Sequence, residues 1–132
     1  IRAEGASLEE CFINSAFGLY SLITDLAQIE PAEEIEIIIN EDNLENMLVS
    51  FLNELIFQFD TYGFLGKAIS IEIKDNYLTA RIKGEKFNPE KHERKLLVKA
   101  ATYHNLVLKQ EDSFWIAEFI FDIRGYNKFI GL

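Results

Sequence analysis

The sequence predicts an α+β domain in which two helices pack on a mostly antiparallel β-sheet, in the order β-α-β-α-β-β-β-β. Three observations carry this. Two segments pair a capping signal with apolar residues at helical spacing. Other segments alternate apolar and polar residues with a period of two. Two pairs of those segments are joined by short polar turns that read as hairpins.

Residues 1–5, IRAEG, read as the end of a strand. Ser7 and Glu10 then form an S-x-x-E capping box, and a helix is expected to about Asp25. Leu8, Phe12, Leu19, Ile23 and Leu26 fall near one stripe, with Cys11, Ser15 and Leu22 beside it. Pro31 lies in the connection. In EEIEIIIN (33–40), Ile35, Ile37 and Ile39 share one face of a strand. Asp42 and Glu45 mark a second helix start. Leu44, Met47, Leu48, Phe51, Leu52, Leu55, Ile56 and Phe59 give that helix a broad apolar face, with Asn43, Glu45, Asn46, Ser50, Asn53 and Gln58 on the polar side.

Next, AISIEIKDNYLTARIKGE reads as a hairpin. Ile69, Ile71 and Ile73 alternate before the KDN turn, and Leu78, Ala80 and Ile82 alternate after it. KFNPEKHERK (86–95) is a polar loop in which His92, beside Lys91 and Arg94, is expected at the surface. Two strands close the chain, KLLVKAATYHNLVLKQ (95–110) and FWIAEFIFDI (114–123). The tail RGYNKFIGL has no clear period.

The closing strands raise the question of which side chains meet. Even positions of the first (Val98, Thr102, His104, Leu106) form its more apolar face. Odd positions of the second (Trp115, Ala117, Phe119, Phe121) form the core face there. Matching the two requires an even-numbered loop, either Glu111-Asp112 or Gln110–Ser113, because a one-residue slip turns a strand over. Ala101 then stands opposite Asp122, and Lys99 lies diagonal to Asp122 on the same face. His104 falls on the core side as a hydrogen-bonded histidine. A three-residue loop would instead put Asp122 on the face of His104. A Lys–Asp diagonal is in most proteins a surface ion pair worth about 0–1 kcal/mol. Asp122 is open to two readings, edge decoration or oxygen ligand to a hard cation, the latter needing a second carboxylate from elsewhere.

The totals bound the function. The chain has 132 residues, one domain's worth, with 48% hydrophobic residues and 11 Phe. No apolar run approaches the roughly 20 residues of a membrane helix, and no secretory signal is visible. The single Cys11 reads as a buried thiol, which fits a reducing cytoplasm. The net charge is −9. Tight direct binding of RNA or DNA calls for a basic face; this balance favours divalent cations or a basic partner protein. No nucleophile elbow, phosphate loop, H-E-x-x-H or C-x-x-C motif is present.

VKAATYHNL (98–106), preceded by GEKFNPEKH (84–92) and followed by FDI (121–123), resembles the archease family. Residues 1–26 and LVSFLNELIFQFD (48–60) match the same family in the right order, so the resemblance runs over nearly the whole chain. It implies a small α+β cofactor protein for the GTP-dependent RNA ligase that joins tRNA exon halves. Such a protein promotes guanylylation and multiple turnover of the ligase, and tRNA is met only indirectly.

The resemblance implies a divalent metal ion, calcium or magnesium or manganese. By the same resemblance Asp122 matches a carboxylate that takes part in metal binding, and Lys99 matches a lysine implicated in ligase activation. A His-Thr-Ala-Asp motif, whose aspartate is a principal ligand, is expected just before Ile1. Many members end after the D-I pair. Here residues 124–132 follow, so Ile123 could offer the metal only its backbone. Two other readings stand beside this one. The first is a chaperone-like modulator of tRNA-modifying enzymes such as a tRNA methyltransferase. The second is a stand-alone hydrolase with a two-carboxylate metal site.

Overall fold

The computed structural model describes residues 1–124. Six strands and two helices follow one another as β1 (Arg2–Gly5), α1 (Leu8–Ile23), β2 (Glu33–Asn40), α2 (Leu44–Tyr62), β3 (Phe64–Lys74), β4 (Tyr77–Lys86), β5 (Val98–Glu111) and β6 (Phe114–Ile123), with a 3-10 turn at Leu26–Gln28. This is the expected α+β order. The strands form two antiparallel three-stranded sheets, β1-β6-β5 and β2-β4-β3.

The capping box at Ser7 forms as written: Ser7 Oγ accepts the Glu10 N–H at 3.1 Å, and Glu10 Oε1 accepts the Ala6 N–H at 3.2 Å. The second helix starts one residue later than Asp42. Asn43 is extended, and its Oδ1 accepts the Asn46 N–H at 2.8 Å. Either side chain can cap, and the one whose backbone turns into the helix does so. Gly63 ends α2 at φ 73°, in the left-handed region that glycine enters without strain.

Each helix touches strands of both sheets: α1 lies against β1, β6 and β3, and α2 against β5, β2 and β3. Their buried faces meet at Phe12 and Phe51, stacked with centroids 6.3 Å apart. Phe12, Leu19 and Ile23 of the expected stripe are buried, with Cys11 beside it, as are Leu48, Leu52 and Leu55 of α2. Tyr20, outside the expected stripe, is also fully buried. Gly66 makes room for it, since a Cβ there would lie 2.8 Å from the tyrosine ring.

In β2, Ile37 is buried while Glu36 and Ile38 are exposed, so the expected alternation holds. The β3–β4 hairpin closes through Asp75-Asn76, with Ile69, Ile71 and Ile73 opposite Ile82, Ala80 and Leu78.

The β5–β6 hairpin departs from expectation in register. Its loop is Asp112-Ser113, with Glu111 opposite Phe114. Asp112 takes φ 55°, a left-handed conformation that aspartate tolerates better than most residues. The loop count is even, as reasoned, but the ladder then shifts twice. Between Thr102 and Val107, four residues of β5 face the single Phe119 of β6, and Asn105 takes φ 55° there. A second shift lies between Val98 and Ala100.

As a result Asp122 pairs with Ala100, not with Ala101; Ala101 pairs with Phe121, and both of these are buried. His104, expected in the core, is exposed within the irregular stretch. Alternation assigns faces only while the ladder is unbroken, and here it breaks on both sides of Ala101.

Candidate functional site

Lys99 and Asp122 are both exposed. Lys99 occupies the irregular step between the Val98–Ile123 and Ala100–Asp122 pairs. The sheet thus brings the two candidate residues to one end of the β5–β6 ladder. Among the described residues no ion pair joins them. Beyond Asp122, the Arg124 N–H donates to Leu97 O at 2.6 Å and its guanidinium lies 3.8 Å from Asp60 on α2.

The strand that carries Lys99 is held from the helix side. Asn53 of α2 clasps the Ala101 backbone twice: its Oδ1 accepts the Ala101 N–H at 2.8 Å, and its Nδ2 donates to Ala101 O at 3.3 Å. One amide side chain thereby serves Ala101 as an adjacent strand would. Further along, Tyr103 donates its hydroxyl to Asn46 Oδ1 at 2.8 Å. Asn53 and Asn46 belong to the polar side of α2. Nothing in local periodicity marks their role, because their partners lie about fifty residues away.

β1 borders β6 on its other edge. Ile1 and Phe119 exchange both backbone hydrogen bonds, at 2.9 and 3.0 Å, and Arg2 stands opposite Glu118. Read backwards from Gly5, the strand therefore advances along β6 in the direction of Asp122.

A hard divalent cation takes six or more oxygens from several groups. Among the described residues, no three His, Cys, Asp or Glu side chains gather to hold a metal ion. Asp122 and the Ile123 backbone do not by themselves make a metal centre.

The polar loop holds a surprise. His92 is 2% exposed, not at the surface. Its Nδ1 accepts the Asn88 N–H at 2.9 Å, so the ring proton is on Nε2, which faces Gln28 O at 3.1 Å and Glu85 Oε2 at 3.0 Å. Phe87 stacks on the ring with centroids 5.8 Å apart. Lys91 joins the cluster, its Nζ 2.8 Å from Glu85 Oε2 and 3.3 Å from Glu30.

The Lys91 hydrogen bond, helped by the Glu30 N–H and His92, holds the Glu85 carboxyl down at about 2 against some opposing desolvation; Glu85 in turn raises the pKa of Lys91. This network locks the loop before β5. It is fully partnered and reads as structural.

Fold and site together define a small two-sheet α+β protein whose candidate functional side chains stand exposed on a strand pair. The Archease protein family (MTH1598/TM1083) matches residues 1–123. Protein archease of Sulfolobus acidocaldarius is 41% identical over 125 residues, covering 93% of this chain and 90% of that protein. Protein archease of Sulfurisphaera tokodaii is 37% identical over the same shares. The solution structure of Methanobacterium thermoautotrophicum protein 1598 superposes with a TM-score of 0.78 at 35% identity, over 92% of this chain and 89% of that one. The crystal structure of a Thermotoga maritima archease, described as a possible chaperone, shares the fold: TM-score 0.64 at 20% identity, over 92% of this chain and 87% of that one. The chain belongs to the archease family, a family of accessory proteins. Among the described residues, no helix is long and apolar enough to cross a membrane.

Proposed function

We propose that this protein activates a GTP-dependent tRNA-splicing RNA ligase, promoting its guanylylation and multiple turnover through Lys99 and Asp122. The observation that carries the reading is their shared place: both exposed, and one step apart in the β5–β6 ladder. Guanylylation gathers phosphate charge beside a nucleophile. A lysine ammonium presented to that site would stabilise charge that develops in the transition state. A carboxylate beside it would suit a divalent cation, calcium or magnesium or manganese. That cation needs a further acidic ligand, which the family resemblance places before Ile1. The course of β1 along β6 toward Asp122 supports such an arrangement.

The net charge of −9 favours docking on a basic, RNA-binding protein over gripping RNA directly. The protein would work in the cytoplasm, where Cys11 stays a thiol. Multiple-turnover RNA ligation by the cognate ligase, with and without this protein, tests the reading. Lys99→Ala and Asp122→Ala should each abolish the stimulation. Full stimulation by both variants would sink the proposal, and aggregation suppression independent of both residues would favour the chaperone-like modulator instead.

A further inference from the structure

We propose that the open edge of β2, together with the outer side of α2, forms a docking groove for an extended, basic segment of a partner protein. This inference does not rest on the ligase reading.

The groove encloses about 550 Å³ and is lined by Ile38, Ile39 and Glu41 from the β2 side, Glu54 and Phe57 from α2, and Tyr103 from β5. Three of these apolar side chains are left in solvent: Ile38 is 60% exposed, Phe57 51% and Tyr103 57%. Ile38 and Ile39 point to opposite faces of their strand. A groove that touches both must run along the strand's edge, where unpaired backbone groups lie.

Exposed strand edges invite added strands, and proteins normally guard them. Among the described residues the two sheets have four edges, β1 and β5 in one and β2 and β3 in the other. β1 is four residues long. β3 is interrupted between Gly66 and Ala68, and β5 is interrupted twice. Of these four edge strands, only β2 pairs eight consecutive residues without a shift. It is the edge best suited to accept another strand by main-chain hydrogen bonds.

Charge selects the occupant. The approach along β2 carries Glu33 and Glu34, beside Glu36, which is paired with Arg81 at 2.9 Å; the groove itself adds Glu41 and Glu54, and none of its lining residues is basic. A second copy would bring another net charge of −9 and set glutamates near glutamates across the new pair. An extended segment alternating basic and apolar side chains meets both demands: lysines near the glutamates, apolar side chains on Ile38, Phe57 and Tyr103.

The test uses a short fluorescent peptide in which lysine alternates with valine, followed by anisotropy and by amide hydrogen exchange of the full chain. Binding should slow exchange at the β2 amides that point away from β4. Ile38→Lys, at an exposed position, and Glu54→Lys, at a half-buried one, should each weaken it by about tenfold. Glu72→Lys makes the same charge change as Glu54→Lys on exposed β3 and should leave binding unaltered. The proposal is overturned by equal weakening in Glu72→Lys, by equal binding of a glutamate–valine peptide, or by protection that misses β2. The amides of β2 that point away from β4, if already protected in the free chain, would also overturn it, since the chain itself or a second copy would then fill the groove.

Discussion

His92 and Glu85 meet at 3.0 Å beneath the loop that leads into β5, with the histidine ring almost wholly buried. The pair ties the end of β4 to a loop residue, and Gln28 and Glu30 bring the α1–β2 connection to the same point. Because every polar atom of the ring is used, His92→Ala leaves the Asn88 N–H, Gln28 O and part of Glu85 without a partner and removes the stack on Phe87. The expected loss is about 2–3 kcal/mol, measured as a shift in the urea midpoint. His92→Gln, which can replace one hydrogen bond, should lose less. A stability unchanged by His92→Ala would mean that the loop is not anchored here.

The same cluster sets a response to acid. The folded-state pKa of Glu85 is about 2, below its ordinary value of 4.5, foremost because of the Lys91 hydrogen bond. A depressed carboxyl stabilises the fold above its unfolded value and loses that contribution as pH falls through the folded one. Stability should therefore drop between about pH 4.5 and pH 2. Glu85→Gln should flatten that drop while lowering stability at neutral pH. Denaturant midpoints across the acid range check both; a parallel pH profile in wild type and variant would remove Glu85 from the account.

Local pattern carried most of the architecture. Both helices, the alternation in β2 and the β3–β4 hairpin follow from side-chain spacing alone, since spacing within an element needs no knowledge of its neighbours. What failed was reasoning that crossed a break in the ladder. Lys99 and His104 were separated by counting alternate positions, but β5 is irregular on both sides of Ala101, and both residues end up exposed. His92 failed for a different reason. Polar surroundings in sequence suggest solvent, whereas burial here depends on partners at residues 28 and 85. Strand order alone brings Lys99 and Asp122 to the same end of the β5–β6 ladder, but the shift at Lys99 and the Ala100–Asp122 pairing replace the diagonal that alternation predicts.

Asn53 offers a sharper test of how β5 is held. Asn53→Leu keeps the bulk of the side chain and deletes both hydrogen bonds to Ala101. A half-buried backbone N–H and C=O would lose their partner, at a cost of about 1–3 kcal/mol. Amide exchange at Ala101 should accelerate more than at the buried β6 residues. Uniform change across both strands would show that Asn53 stabilises the fold only globally.

Lys99 and Asp122 should behave in the opposite way. Both are exposed and pair with no charge among the described residues, so Lys99→Ala and Asp122→Ala should shift stability by no more than about 0.5 kcal/mol. In the ligation assay each should lower stimulated turnover by about a hundredfold, the scale of losing one charge-stabilising group. Lys99→Arg, which keeps the charge but changes its geometry, should recover part of it. A large stability loss in either variant would make them structural residues instead.

Cys11 provides the last test, because it reports on the β1–α1 contact. The thiol is fully buried, its Sγ 3.8 Å from Ala3 O. Burial, with a smaller contribution from the Glu4 carboxylate, pushes its pKa up to about 11. The thiolate is the reactive form, so alkylation near pH 8 requires local opening. Labelling should be slow in the native chain and fast in denaturant. Arg2→Ala removes ion pairs at 3.2 Å to Glu4 and 3.1 Å to Glu118 and so loosens the edge strand over the thiol. It should speed labelling severalfold without unfolding the protein. Labelling that matches the global unfolding rate in both proteins would mean that β1 opens only with the whole domain.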